Sequence, residues 1–119
     1  MGKGEGGGMD TGCVLVLTTL SAKVDGRAFA AALVRERLAA CVNVLGEMDS
    51  VYRWQGKVES ERERQLLIKT TTDQLPALQA RLHELHPYEV PEFLVIPVIG
   101  GSDPYVKWLK ESTIISTGD

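Results

Sequence analysis

His86-Pro87-Tyr88-Glu89-Val90-Pro91-Glu92-Phe93-Leu94-Val95-Ile96-Pro97-Val98-Ile99 is the stretch whose reading decides the fold. Pro87 and Pro91 bias the residues before them away from helical geometry, so a helical pattern ending at Leu85 gives way to a stiff, extended segment. Phe93 to Val98 is then an apolar run of strand length. Pro97 has no N–H for a ladder, which places this strand at a sheet edge or a bulge. Gly100-Gly101 ends it. The rest of the chain must supply the sheet that this edge strand closes.

Upstream, Cys13 to Leu17 reads as a buried strand and Thr18 to Val24 as a turn. From Asp25, the residues Phe29, Ala30, Leu33, Val34 and Leu38 recur at helical spacing. Ala40 to Leu45 is a second strand, and Gly46 marks a bulge or bend. Val51 to Trp54 leads into Gln55-Gly56, a hairpin turn, and Lys57 to Thr72 returns. Asp73 is expected to cap a helix with Pro76 in its first turn and Leu75, Leu78, Leu82 and Leu85 on one face. After the edge strand come a short helix, Tyr105 to Glu111, and a brief strand at Thr113 to Ser116.

The order is βαββαβ plus a tail. It predicts an α+β, ferredoxin-like split βαβ fold, one antiparallel sheet with two helices on one face. A single domain over residues 11–119 is expected, with residues 1–10 a flexible Gly-rich leader or expression scar and Met9 the natural start. The hairpin arms are each about 15 residues, roughly 50 Å at ~3.3 Å per residue. A compact domain of this length has a radius of gyration of about 13–14 Å. The hairpin tip must overhang its own core and present Tyr52 and Trp54, an arrangement that a closed homo-oligomer would cover.

The net charge of −3 argues against a nucleic-acid partner, and no apolar stretch is long enough to span a membrane. No signal peptide is visible, and two cysteines make no disulfide framework, so a reducing cytoplasm is expected. Walker, Rossmann, Gly-x-Ser-x-Gly, His-Glu-x-x-His and Cys-x-x-Cys patterns are missing from the sequence, as are the aromatic motifs of RNA-binding relatives of this fold. A binding protein is expected, not an enzyme.

Arg37 to Asn43, Ser50 to Glu59, Leu67 to Thr70, His86 to Glu92 and Tyr105 to Leu109 together resemble the CutA divalent-cation-tolerance family, in order, across about residues 13–113. The resemblance implies a ferredoxin-like protomer, a tight homotrimer, and copper or another divalent cation as ligand. Some members of that family carry further cysteines where this chain has Thr18, Thr19 and Ala80, which weakens a site built from several thiolates.

The candidate metal ligands are His86, Cys41, Glu59, Glu61, Glu63 and Glu89, with Glu92 near the last. Cys41 reads first as a small buried hydrophobe and alternatively as a soft copper ligand. His86 reads equally as a ligand or as a helix-terminal residue, and His83 as a surface side chain. Glu59, Glu61 and Glu63 alternate and share one strand face, either as solvated charges that discourage mispairing or as cation ligands. Lys69, in an otherwise apolar strand, is expected to pair with an acidic group in the assembly or to bind an anion. Tyr52, Trp54, Tyr88 and Trp108 are expected to pack subunits together. Two other function classes stand beside metal tolerance. One is a trimer resembling the PII nitrogen-signalling proteins, with an anionic or nucleotide effector between subunits; the other is a structural scaffold.

Overall fold

Val14, Val16 and Leu20 are buried on one face of the first strand, together with Leu66 and Ile68 of its neighbour, against Phe29, Leu33, Leu78 and Leu82 of two helices. This single apolar layer organises the computed structural model, which describes residues 10–114. The elements are β1 (Cys13–Ser21), α1 (Gly26–Arg35), β2 (Cys41–Trp54), β3 (Lys57–Thr71), α2 (Leu75–Leu85), β4 (Leu94–Val98) and α3 (Asp103–Ser112). The sheet order is β2-β3-β1-β4, with every neighbouring pair antiparallel. The predicted ferredoxin-like order is present. Pro97 pairs with Val14 in β4, which has β1 as its single neighbour among the described residues, so the edge position read from the proline holds there.

On the opposite sheet face, α3 covers one end, where Leu109 and Val106 pack on Cys13 and Val98. The register places Leu15, Leu17, Leu67, Leu94 and Ile96 farther along the same face. Of these, Leu94 and Ile96 are exposed.

Several boundaries differ from the sequence reading. β1 runs to Ser21, through the segment expected to turn, because Thr18, Thr19 and Leu20 pair with Leu66, Gln65 and Arg64. α1 stops at Arg35, whereas the apolar stripe continues to Leu38. Arg37 adopts φ +61°, its N–H donates to Val34 O at 3.0 Å, and the N–H of Leu38 donates to Leu33 O at 3.0 Å. These two bonds form a left-handed helix stop in which Leu38 stays buried against Leu33, although arginine stands where glycine is usual. Asp73 caps nothing: it sits inside a short 3-10 turn, Thr72–Gln74, which precedes α2. Thr113 ends α3 rather than starting a strand and Ile114 follows it outside any strand, while residues 115 and 116 of that expected strand lie outside the described residues, as does the leader up to Met9.

The long hairpin behaves as its length demands. A register shift between Val44 and Glu47 marks the bulge expected at Gly46. β1 ends with Ser21 opposite Glu63, and the Ala22 N–H still reaches Arg62 O, so Lys57 to Glu61 pair with β2 alone and overhang the core by roughly 16 Å at ~3.3 Å per residue. The radius of gyration is 16.1 Å, larger than the 13–14 Å or so of a compact chain of this length. Val51 and Val58 are each 68% exposed and Trp54 53%.

At the tip, Gln55 (φ 51°) and Gly56 (φ 80°) make the left-handed pair that a two-residue hairpin needs. A Cβ at Gly56 would meet nothing within 4 Å, so its substitution isolates the backbone term. Gly56→Ala should lower unfolding stability by ~1–2 kcal/mol. Gly46→Ala, also in open space but without a left-handed φ, should lower it much less. Urea denaturation of both variants at one fixed protein concentration checks the difference.

Candidate functional site

The segment after α2 is held by its first residue. Pro87 keeps His86 extended (φ −82°, ψ 133°), which turns the imidazole inward, where it is 6% exposed. Nε2 lies 2.7 Å from Thr19 O on β1, and the Tyr88 N–H donates to Nδ1 at 3.1 Å. A carbonyl can only accept and a backbone N–H can only donate, so the ring is neutral, with its proton on Nε2. Phe29 stacks on it edge-on at 5.9 Å. From this anchor Tyr88 reaches across to β3, and its hydroxyl donates to Glu63 Oε2 at 2.7 Å. Gln65, one step along the same strand face, donates from Nε2 to Thr18 O at 2.8 Å and to Glu92 Oε2 at 3.0 Å.

These bonds draw the loop 88–92 toward the overhanging hairpin and leave a cleft of about 740 Å³ between them. Tyr52 and Trp54 of β2, Tyr88 of the loop and Val51, Val90 and Pro91 form much of its wall. Among the described residues its charged lining consists of Glu63, Glu89 and Glu92, with no lysine, arginine or histidine. Glu63 is 6% exposed and Glu89 is open to solvent. Burial, together with the Glu63 carboxylate, pushes the Tyr88 phenol well above its ordinary range. Tyr52 is also raised, first by desolvation and then by Glu61, Glu59 and Glu63. Of the two phenols, Tyr88 is the one that donates to a carboxylate, that of Glu63.

The expected alternation is present, with Glu59, Glu61 and Glu63 opposite Tyr52, Ser50 and Met48 on the face that carries the cleft. Arg62 and Arg64 lie on the other face and bind Glu47 and Asp49, so the arginines do not answer these three carboxylates. The answer to Glu63 is a phenol, which sequence reasoning missed. Gln65 was missed too, although the same alternation extended by one step points to it.

The other candidate ligands do not converge here. His86 has both ring nitrogens engaged inside the fold, the structural one of its two expected roles. Cys41 is half-buried opposite Lys69, roughly 20 Å along β3 from Glu63 at ~3.3 Å per residue, and so does not join the carboxylates. Among the described residues, no three His, Cys, Asp or Glu side chains are grouped so as to hold a metal ion. His83 is a surface residue, as expected. Lys69 meets no carboxylate among the described residues. Its ammonium lies 3.4 Å from the Tyr105 hydroxyl and 5.7 Å from the centre of that ring. Trp108 packs with Tyr105 on α3, away from the cleft. No helix among the described residues is long and apolar enough to cross a membrane.

A family model described as CutA1 divalent ion tolerance protein matches residues 14–112. The divalent-cation tolerance protein CutA of Thermus thermophilus is 48% identical over 99 residues, covering 83% of this chain and 96% of that one. The chloroplastic protein CutA of Arabidopsis thaliana is 43% identical over 100 residues, covering 84% of this chain but 55% of the plant protein. Among solved structures, the divalent cation tolerance protein from Thermus thermophilus superposes with a TM-score of 0.82 at 46% identity, over 85% of this chain and 98% of that one. CutA1 from Oryza sativa superposes with a TM-score of 0.83 at 40% identity, over 87% and 95%. The chain belongs to the CutA1 divalent ion tolerance protein family.

Proposed function

We propose that this protein is a cytosolic homotrimer that binds divalent cations, copper(II) most tightly, at carboxylates along the hairpin and its cleft. The observation that carries this reading is the lining of the cleft, whose acidic side chains are Glu63, Glu89 and Glu92 with no cationic residue among the described residues of its walls. A negative wall of this kind favours a cation over the anionic effector of a PII-like protein. Lys69, which an anion would need, stands at the other end of β3 against Tyr105. Glu59 and Glu61 continue the carboxylate row toward the hairpin tip. Oxygen donors suit hard cations, and copper(II) leads the first-row divalent ions for a given set of nitrogen and oxygen ligands.

Among the described residues one protomer does not gather a ligand set, and in this reading a second chain completes it. The overhanging hairpin supports the same assembly, because its exposed Val51, Trp54 and Val58 and the exposed β4 residues Leu94 and Ile96 are surfaces that a neighbouring copy would cover.

Light scattering coupled to size exclusion should give three times the chain mass at micromolar concentration, and a monodisperse monomer would overturn the assembly. Trp54→Ala should shift the dissociation midpoint more than Trp108→Ala; equal midpoints would remove the hairpin from the subunit contact.

Titration calorimetry on the trimer should show saturable copper(II) binding, tighter than nickel(II) or zinc(II). The double variant Glu59→Gln/Glu61→Gln should weaken it about tenfold, equivalent to ~1.4 kcal/mol. Binding equal to wild type would misplace the site, and no saturable binding would end the metal reading.

A further inference from the structure

Lys69 and the carboxylates of the hairpin share one face of one strand and cannot meet within a protomer. The odd-numbered residues of β3 place Glu59, Glu61 and Glu63 toward the tip of that face, then Gln65 and Leu67, and Lys69 toward its base. Glu61 and Lys69 are eight residues apart, roughly 26 Å at ~3.3 Å per residue and far beyond the reach of an ion pair. At the base, Lys69 is flanked by Leu15 on β1 and Cys41 on β2, and Ile96 of β4 completes the row. The residue is half-buried, and among the described residues its ammonium meets a phenol hydroxyl and a ring face but no carboxylate. Covering this apolar face with another copy strips water from the ammonium, which is unfavourable unless an anion answers it.

Elimination identifies the anion. Glu47 and Asp49 hold Arg62 and Arg64, and Glu36 and Glu84 hold Arg81. Glu63 and Glu92 accept from Tyr88 and Gln65 inside their own protomer. Glu59 and Glu61 have no ion pair among the described residues, although Lys57 shares their face at the tip. They also stand beyond the end of β1, where the chain's own core gives no cover. The face is thus acidic on the overhang and carries an unanswered cation at the base.

We infer that Glu59 and Glu61 of one copy close on Lys69 of the next, so that the neighbour's ammonium is the resident cation of the hairpin carboxylates and a divalent cation binds there by displacing it. The contact joins two unlike patches, tip to base, and a head-to-tail interface of this kind closes into a ring when its rotation allows. The inference rests on the trimer proposed above and adds a regulation of its carboxylates: the subunit contact itself competes with metal.

The test is a mutant cycle on the full chain with a chelator present, read by light scattering as the urea midpoint of trimer dissociation at one protein concentration. Glu59→Gln/Glu61→Gln leaves the ammonium covered and unanswered and should lower the midpoint. Adding Lys69→Met to that variant removes the orphaned charge and should raise the midpoint again. An unchanged midpoint in the glutamine variant, or a Lys69→Met change that lowers the midpoint equally in both backgrounds, overturns the pair. If Lys69→Met does not fold, salt decides: sodium chloride should lower the wild-type midpoint and leave that of the glutamine variant nearly unmoved, and equal slopes overturn the pair. Copper(II) titration of trimeric Lys69→Met should then show binding several-fold tighter than wild type, and equal or weaker binding overturns the displacement. The cycle contains no metal, so a wild type that fails to bind copper(II) ends the metal reading while the midpoints still decide the ion pair.

Discussion

Three hydrogen bonds in series fix the geometry on which the rest depends. His86 Nε2–H donates to Thr19 O, the Tyr88 N–H donates to His86 Nδ1, and the Tyr88 hydroxyl donates to Glu63 Oε2. The series joins the end of α2, strand β1 and the root of the overhanging hairpin through one loop. Pro87 favours the arrangement by keeping His86 out of the helix before any of these bonds form. Without the series, Tyr88 would not face Glu63 and the loop would have no fixed relation to Tyr52 and Trp54. The carboxylate cleft is thus a consequence of a neutral, buried imidazole.

The same geometry explains why the candidate ligands separate. His86 is committed to structure, and Cys41 faces Lys69 at the far end of the sheet. The carboxylates cluster because a strand alternates: Glu59, Glu61 and Glu63 are spaced by two, and the register sets them opposite Tyr52, Ser50 and Met48. The arginines between them pair with Glu47 and Asp49 on the opposite face. Segregation by face leaves three carboxylates, Glu59, Glu61 and Glu63, on the side of the hairpin that also carries Lys57 at its tip.

The features legible in the sequence were those with a local cause. Pro97 declared an edge strand, Gln55-Gly56 a tight turn, Gly46 a bulge, and the leucines from Leu75 to Leu85 a helix face. Features decided by tertiary contact were not legible. Thr18 and Thr19 look like turn residues, yet β1 continues through them because β3 supplies partners on one side. The stop at Arg37 carries no glycine to announce it, since burial of Leu38 against Leu33 outweighs the left-handed strain. Asp73 has the chemistry of a cap, but the 3-10 turn begins before it. For the site, alternation revealed the carboxylate row. The partner of Glu63 lies 25 residues away in sequence and could be found only in the fold.

The ring state of His86 tests this account most directly. Long-range proton–nitrogen correlation at neutral pH should show a neutral ring protonated on Nε2, with Nδ1 unprotonated and hydrogen-bonded. Both nitrogen signals should keep their positions when zinc(II) is added to saturation. A proton on Nδ1, or a coordination shift of either nitrogen on adding zinc(II), would contradict it and return His86 to the metal site.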